Sequence, residues 1–263
     1  MIRLEGVQVT FAAGTPLQAR ALRGIDLSLE EGSFTTVIGS NGAGKSTLLN
    51  LLSGDVAPAR GRVLIDGRDV TGWPLPRRAA LVARVFQDPL GGTCEALTVE
   101  ENMALALERG RRRGLRRALD RRRREHFGEA LGQLGLGLEK RLHDPVGQLS
   151  GGQRQALCLV MATLADTRVL LDEHTAALDP RTSALVLDLT RRLVAEKGLT
   201  ALMVTHSLRQ ALSCGERTLM LHEGQLVLEV AGADRRGLTV SELMQMFARA
   251  RGEELADDSL LLD

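Results

Sequence analysis

"GSNGAGKST", residues 39–47, decides how the rest of the chain is read. It fits G-x-x-x-x-G-K-[ST] and lies between "SFTTVIG", a short β-branched run, and "STLLNLLSG", whose leucines recur at helical spacing before the stop at Gly54. Strand, glycine-rich loop and helix are the context this motif needs. Glycine lets successive backbone N–H groups turn inward toward phosphate oxygens, and the following helix N-terminus adds partial positive charge. Gly39, Ser40, Asn41, Gly42, Ala43, Gly44, Lys45, Ser46 and Thr47 are therefore the expected phosphate cradle of a nucleotide. Within it, Lys45 is expected to hold the β- and γ-phosphates and the Ser46 hydroxyl to ligate Mg²⁺.

Three further apolar runs end in polar residues: "LVARVFQ" at Gln87, "RVLLDE" at Asp172 and Glu173, and "ALMVTH" at His206. Ligands of open α/β sheets bind beyond the carboxyl ends of the strands, so Gly39, Gln87, Asp172, Glu173 and His206 are expected at one edge. A hard cation carried on phosphates needs oxygen ligands, which makes Asp172 the expected protein partner of Mg²⁺. Strand alternation is expected to aim Glu173 differently, toward an attacking water as general base. His174 follows directly, with two readings: packing in the loop, which is the expectation, or proton transfer beside the base.

The remaining pattern is strands alternating with helices, which implies a mostly parallel, doubly wound sheet. "RLEGVQVTF" and "LRGIDLSLE" read as strands near the start, and Asp66-Gly67 breaks "GRVLIDGRDV" into a hairpin. A helical region spans about 98–165 and opens on Thr98-x-x-Glu101, a capping box. Helices are expected over 181–197 and 207–214, stopped by Gly198 and Gly215, and Thr239-x-x-Glu242 caps a last one. The acidic end "EELADDSLLLD" reads as a loosely held tail.

Composition excludes several classes of function. The 34 basic and 33 acidic side chains balance, and one Trp, no Tyr and five Phe cannot build a base-stacking surface. No apolar stretch is long enough to span a membrane, and "MIRLEGVQVTF" lacks a signal-peptide core, so a cytosolic chain is expected. Cys94, Cys158 and Cys214 show no metal or disulfide spacing and read as small buried hydrophobes. The run "RGRRRGLRRALDRRRR" (109–124) holds ten arginines and no aromatic. It reads as a solvated helical face, attracted at most to anionic lipid headgroups, without specific nucleic-acid binding.

"LSGGQRQAL" (149–157) puts a serine and two glycines at the start of a helix, a second anion site in its physics, although one phosphate chain needs only one cradle. The phosphate loop, Gln87, "LSGGQ", "LLDE" followed by "ALD" at 177–179, and His206 come in an order and spacing that resemble an ATP-binding cassette ATPase of an ABC transporter. The resemblance covers nearly the whole chain. It implies ATP and Mg²⁺ as cofactors and an α/β P-loop NTPase core with a mostly parallel sheet, an antiparallel β subdomain and an α-helical subdomain. On this reading residues 1–263 form one ABC ATPase domain: core and β subdomain at 1–90 and 166–235, helical subdomain at 91–165, terminal helix and tail at 236–263.

The resemblance further implies a head-to-tail dimer, or pairing with a second cassette, in which Ser150, Gly151, Gly152 and Gln153 meet nucleotide held by the partner's phosphate loop. Gln87 senses Mg²⁺ and water, His206 contacts the γ-phosphate and water, and Asp179 reaches the opposite subunit. Phe11 occupies the position of an aromatic stacked on adenine, with a core phenylalanine as the other reading. Residues 88–107 are the expected contact with a membrane partner. Two departures stand out. Arg168 takes the place of a fourth apolar residue before Asp172, and His174 stands where most relatives have proline.

The implied function is the ATPase subunit of a transporter, of the importer kind, at the cytoplasmic face of the membrane. It works there with separate integral permease subunits and a substrate-binding protein, and its solute is an amino acid or similar molecule. A split exporter and a non-transport factor acting on ribosomes or DNA are the alternatives.

Overall fold

A computed structural model describes residues 1–110, 117–165 and 167–251. The middle of the arginine run and the acidic tail lie outside the described residues. In chain order the strands are β1 (Ile2–Phe11), β2 (Ala19–Leu29), β3 (Phe34–Gly39), β4 (Arg60–Ile65), β5 (Arg68–Asp69), β6 (Val82–Val85), β7 (Arg168–Asp172), β8 (Ala201–Val204), β9 (Arg217–His222) and β10 (Gln225–Ala231). The α-helices are α1 (Lys45–Ser53), α2 (Leu75–Arg78), α3 (Val99–Leu107), α4 (Arg121–Gly132), α5 (Gly151–Ala162), α6 (Pro180–Glu196), α7 (Leu208–Ser213), α8 (Gly232–Arg235) and α9 (Val240–Arg251). The fold is α/β, with parallel strand pairs, an antiparallel sheet and helices. The chain divides into two compact units, Met1–Pro74 with the chain from Thr200 on, and Leu75–Leu199.

In the first unit β2, β1, β4 and β5 form an antiparallel sheet in that order. Ile2, Leu4, Val7 and Val9 of β1 are buried, and the register shifts between Leu4 and Val7 as the chain passes Gly6. The Asp66-Gly67 hairpin forms as expected, with both residues at positive φ (51° and 72°), the geometry a tight turn between right-twisted strands requires. Beside this sheet β3 pairs in parallel with β8 and β9, and β10 closes antiparallel on β9. Continuous burial along β3, β8 and β9 is what parallel strands show when both faces are covered. Ile38, Met220 and Val230 pack against Leu208 and Ala211 of α7 and Leu243 and Phe247 of α9. The Thr239–Glu242 capping box starts α9, with Thr239 N donating to the Glu242 carboxylate at 2.8 Å.

In the second unit β6 and β7 pair in parallel, Val82 opposite Arg168 and Val85 opposite Leu171. Arg168 is the first residue of β7 and its N–H donates to Leu81 O at 2.9 Å, so the polar residue ahead of Val169 does not shorten the strand. Within the expected helical region the described residues form α3, α4 and α5 with short 3₁₀ turns at Leu138–Lys140 and Val146–Gln148, and the Thr98–Glu101 box is present on α3. At its described end the arginine run is less a free solvated face than expected. Arg123 pairs with Glu108 and Arg124 with the buried Glu100, because α4 lies against α3, while Arg121 pairs along its own helix with Glu125 and stays exposed.

Cys158 and Cys214 are buried as expected, and burial pushes the Cys158 thiol up to about 12. Cys94 is exposed instead. It sits in a loop whose inward contacts are made by its backbone: Cys94 N donates to Asn102 Oδ1 at 2.8 Å and Cys94 O accepts from Asn102 Nδ2 at 3.0 Å. The same buried amide donates to Leu97 O and Thr98 O, so one side chain of α3 anchors the loop that follows Gln87. Asn102→Ala strands those groups and should cost about 2–3 kcal/mol. Urea unfolding of the variant measures the loss, and a change of only a few tenths would contradict this anchoring.

Candidate active site

Residues 40–44 carry the chain of the first unit from the end of β3 into α1. Lys45 is 5% exposed, and its Nζ donates to Gly39 O at 2.6 Å and Ser40 O at 3.1 Å, so the ammonium is folded back inside its own loop. Glycine is required for two reasons. A Cβ at Gly39 would lie 2.2 Å from Leu221 O, and one at Gly44, where φ is 104°, would lie 2.6 Å from Ala21 O. Gly42 has open space around it but a φ of 77°. Gly224 N donates to Ala43 O at 3.0 Å, so the β9–β10 turn pins the loop from behind. The first N–H groups of α1 have no intrahelical acceptor, and its first turn carries no acid to compete with an anion. Ser46 on that turn is exposed.

Two other predicted residues belong to this unit. Val37 pairs with Val204, so His206, two residues beyond, reaches the level of Gly39 at the carboxyl edge of the same parallel strands. Phe11, the last residue of β1, is 41% exposed, which excludes the core reading and leaves a ring face in solvent.

The second unit holds the carboxylates. Val85 pairs with Leu171, which brings Gln87 level with Glu173 at the carboxyl edge of β6 and β7. Asp172 ends its strand with Oδ2 accepting from Arg84 Nη2 at 2.5 Å, both side chains largely buried. The guanidinium carbon of Arg84 lies 4.9 Å from the Phe86 ring centroid. Sequence reading passed over Arg84; the available signal was a charged residue inside a buried strand, three positions before Gln87.

Glu173 corrects an expectation. It is not the next alternating residue of β7, because the strand stops at Asp172 and Glu173 has φ 45°. A left-handed residue here costs about 1–2 kcal/mol, and it swings the chain into a turn closed by Ala176 N donating to Glu173 O at 2.9 Å. The two adjacent acids are separated in direction by this reversal rather than by the pleat.

His174 lies under the turn, 2% exposed, with Nε2 2.8 Å from Thr190 Oγ1 on α6. Thr190 donates its one hydroxyl proton to Val186 O at 2.8 Å, so His174 must be the donor and carries its proton on Nε2. Burial lowers its pKa from 6.5 to about 4. The packing reading is the one this geometry supports. Asp179 caps α6, accepting from Arg181 N and Thr182 N at 3.1 Å each. Hydrogen bonds from Thr182, side chain first, hold the Asp179 carboxyl below the usual carboxylate range.

Ser150 and Gln153 close a capping box at the start of α5, Gln153 N donating to Ser150 Oγ at 3.3 Å and Ser150 N to Gln153 Oε1 at 3.2 Å. Gln153 also donates to Leu136 O and accepts from Arg141, so its side chain is engaged within the unit. Ser150 and Gly151 are exposed, presenting a helix N-terminus to solvent, while a Cβ on Gly152 would press to 2.2 Å from Thr182 Cγ2. Sequence reading also missed Gln155, fully buried on α5, whose Nε2 donates to Phe86 O at 3.0 Å and ties the helix to the residue before Gln87.

These residues fit the expected cofactors. Gly39 and Gly44 keep clear a loop that any Cβ would crowd, and the loop lysine is poised among carbonyl oxygens. Among the described residues no group of three or more His, Cys, Asp or Glu could hold a metal alone. Mg²⁺ keeps to phosphate and water oxygens and takes one or two from protein, and the Ser46 hydroxyl on α1 and the Asp172 carboxylate at the end of β7 are oxygen donors of that kind.

A family model described as ABC transporter matches residues 22–176. The chain is 46% identical over 227 residues to a tyrosine transport ATP-binding protein of Clostridioides difficile, covering 86% of this chain and 90% of that protein. It is 36% identical over 241 residues to a methionine import ATP-binding protein of Chromohalobacter salexigens, covering 89% of this chain and 65% of that longer protein. Among solved structures, the dimeric post-hydrolysis state of an ATP-binding cassette bound to ADP and Pi superposes with a TM-score of 0.75 at 30% identity, covering 88% of this chain and 98% of the other.

The state of His174 is checkable. Its folded pKa lies below its unfolded value, so the unfolded chain binds the extra proton, and stability is full above 6.5 and declines as pH falls toward about 4. Replacing His174 with Gln should flatten that decline in denaturant titrations, and should leave the pH profile of catalysis near neutrality unchanged. An ionisation near neutrality that disappears with the substitution would overturn the packing role.

Proposed function

We propose that this chain, which belongs to the ABC transporter family and is an ATPase, powers import of an amino acid or a similar small solute through separate membrane permease subunits. The observation that carries this reading is the presence of two anion-binding helix starts: the cradle around Lys45 and the exposed Ser150-Gly151 start of α5. One nucleotide occupies one cradle; the second is explained if it serves the nucleotide of another cassette. A dimer that closes on ATP and opens after hydrolysis then drives the permease. The import direction and the solute class are supported by the tyrosine and methionine transport relatives. A substrate-binding protein supplying the permease, and a peripheral position at the cytoplasmic face of the membrane, follow from that reading. Among the described residues no helix is long and apolar enough to cross a membrane.

In this mechanism Lys45 exchanges the carbonyls of Gly39 and Ser40 for β- and γ-phosphate oxygens, a gain because charge-assisted bonds to phosphate are stronger. The backbone of residues 39–47 and the first turn of α1 receive the phosphate chain, and Phe11 offers its exposed ring to adenine. Ser46, Asp172 and Gln87 are the residues that would hold Mg²⁺, which when bound neutralises charge on the phosphates. Glu173 takes a proton from the attacking water, while Gln87 and His206 orient that water and the γ-phosphate. Ser150, Gly151 and Gly152 meet the nucleotide of the opposite subunit, and Gln153 keeps their helix start rigid. Asp179 caps α6 and faces the partner. The segment 88–107, anchored by Asn102, receives the permease.

Glu173→Gln removes the base and leaves the binding groups in place, so turnover should fall by at least about 100-fold while an ATP-bound dimer accumulates in size-exclusion chromatography. Wild-type turnover in that variant would remove Glu173 from the role. Lys45→Ala should instead weaken nucleotide binding itself, seen by fluorescence titration of a labelled ATP. Ser150→Arg should leave ATP binding to the monomer intact and block dimerisation; a closed dimer in this variant would exclude the trans site. Transport as such is tested by purification from native membranes. A polytopic permease in the eluate is expected, and co-sedimentation with ribosomes would contradict it.

A further inference from the structure

We infer that Arg84 is a positioning residue for Asp172, holding the carboxylate oriented so that it can receive a metal. This rests on the reading of Asp172 as a Mg²⁺ ligand. The geometry begins with register. Arg84 on β6 lies opposite Leu170 on β7, and Asp172, two residues on, shares the sheet face of Leu170. Arg84 is therefore the side chain on the neighbouring strand best placed to reach Asp172, and it does so with Nη2 2.5 Å from Oδ2. The two side chains are only 13% and 15% exposed, so neither charge is left to solvent.

An arginine within a buried strand carries a desolvation cost, and the contacts that offset it include the carboxylate in front and the Phe86 ring, 4.9 Å from the guanidinium carbon to the ring centroid. Phe86 is fixed in turn, since its carbonyl accepts from the buried Gln155 of α5 at 3.0 Å. The guanidinium is thus held from behind and engages one carboxylate oxygen, Oδ2. A ligating carboxylate oriented by such a hydrogen bond binds its metal better than one free to rotate, and loss of these outer partners typically costs about 10–100-fold in metal affinity. Lysine keeps the charge but has no planar group to lie on the ring while reaching the carboxylate, so it should substitute only in part.

The test uses the full chain loaded with a non-hydrolysable ATP analogue and Mn²⁺ as the probe, free Mn²⁺ being counted by its EPR signal. Arg84→Leu should bind Mn²⁺ about tenfold more weakly, while its affinity for the analogue measured without divalent ions stays at the wild-type value. Arg84→Lys should recover part of the loss, and Phe86→Leu should show a smaller loss in the same direction. Mn²⁺ affinity in Arg84→Leu equal to or tighter than wild type overturns the assignment, and the tighter result would make Arg84 a competitor of the metal. If Arg84→Leu also loses metal-free nucleotide binding, Arg84→Lys and Phe86→Leu decide, and wild-type Mn²⁺ affinity in both overturns the assignment. Asp172→Ala separates the two layers: unchanged Mn²⁺ affinity there sinks the metal reading of Asp172, whereas an unchanged Arg84→Leu sinks only the role of Arg84.

Discussion

A buried ammonium group held by the carbonyls of Gly39 and Ser40 is the constraint on which the first unit depends. For Lys45 to sit there at 5% exposure, the loop must curl around it, and the curl brings backbone so close to Leu221 O and Ala21 O that only glycine fits at 39 and 44. Those two carbonyls belong to β9 and β2, so the loop is shaped by both the parallel and the antiparallel strands of its unit. The cradle is in this sense already formed. Its lysine is neutralised by dipoles of the protein, and binding replaces weak internal acceptors with charged external ones.

The second unit meets a corresponding problem with negative charge. Asp172, Glu173 and Asp179 lie within eight residues, and each is handled by a different device: an arginine from the next strand, a left-handed backbone step, and the N–H groups of a helix start. His174 is placed where it holds none of that charge. Its single hydrogen bond runs to Thr190, which ties the turn after the acids to the middle of α6, so the direction of Glu173 is braced by packing rather than by titration.

Much of this was legible in the residues because the signals were local. A glycine loop between strand and helix, a Thr-x-x-Glu box and an Asp-Gly hairpin each specify their geometry within a few positions, and all appear where the sequence put them. What escaped depends on the neighbouring strand or on backbone that alternation cannot foresee. Arg84 gains meaning only through the β6–β7 register, Gln155 only through the packing of α5 on Phe86, and the φ of Glu173 only where β7 ends. Cys94 was misjudged because composition treats cysteine as a core residue, while here the backbone of the loop makes the inward contacts and turns the thiol out.

That outward thiol has a practical side. With Cys158 and Cys214 buried, a thiol-reactive dye added to the native chain has one accessible target, at Cys94. It sits on a loop whose backbone is clamped by Asn102, seven residues beyond Gln87. A fluorophore there would be stationary at rest and close to the segment assigned to the permease. The native chain thus carries its own attachment point for an optical reporter of docking, with no cysteine to remove and none to add.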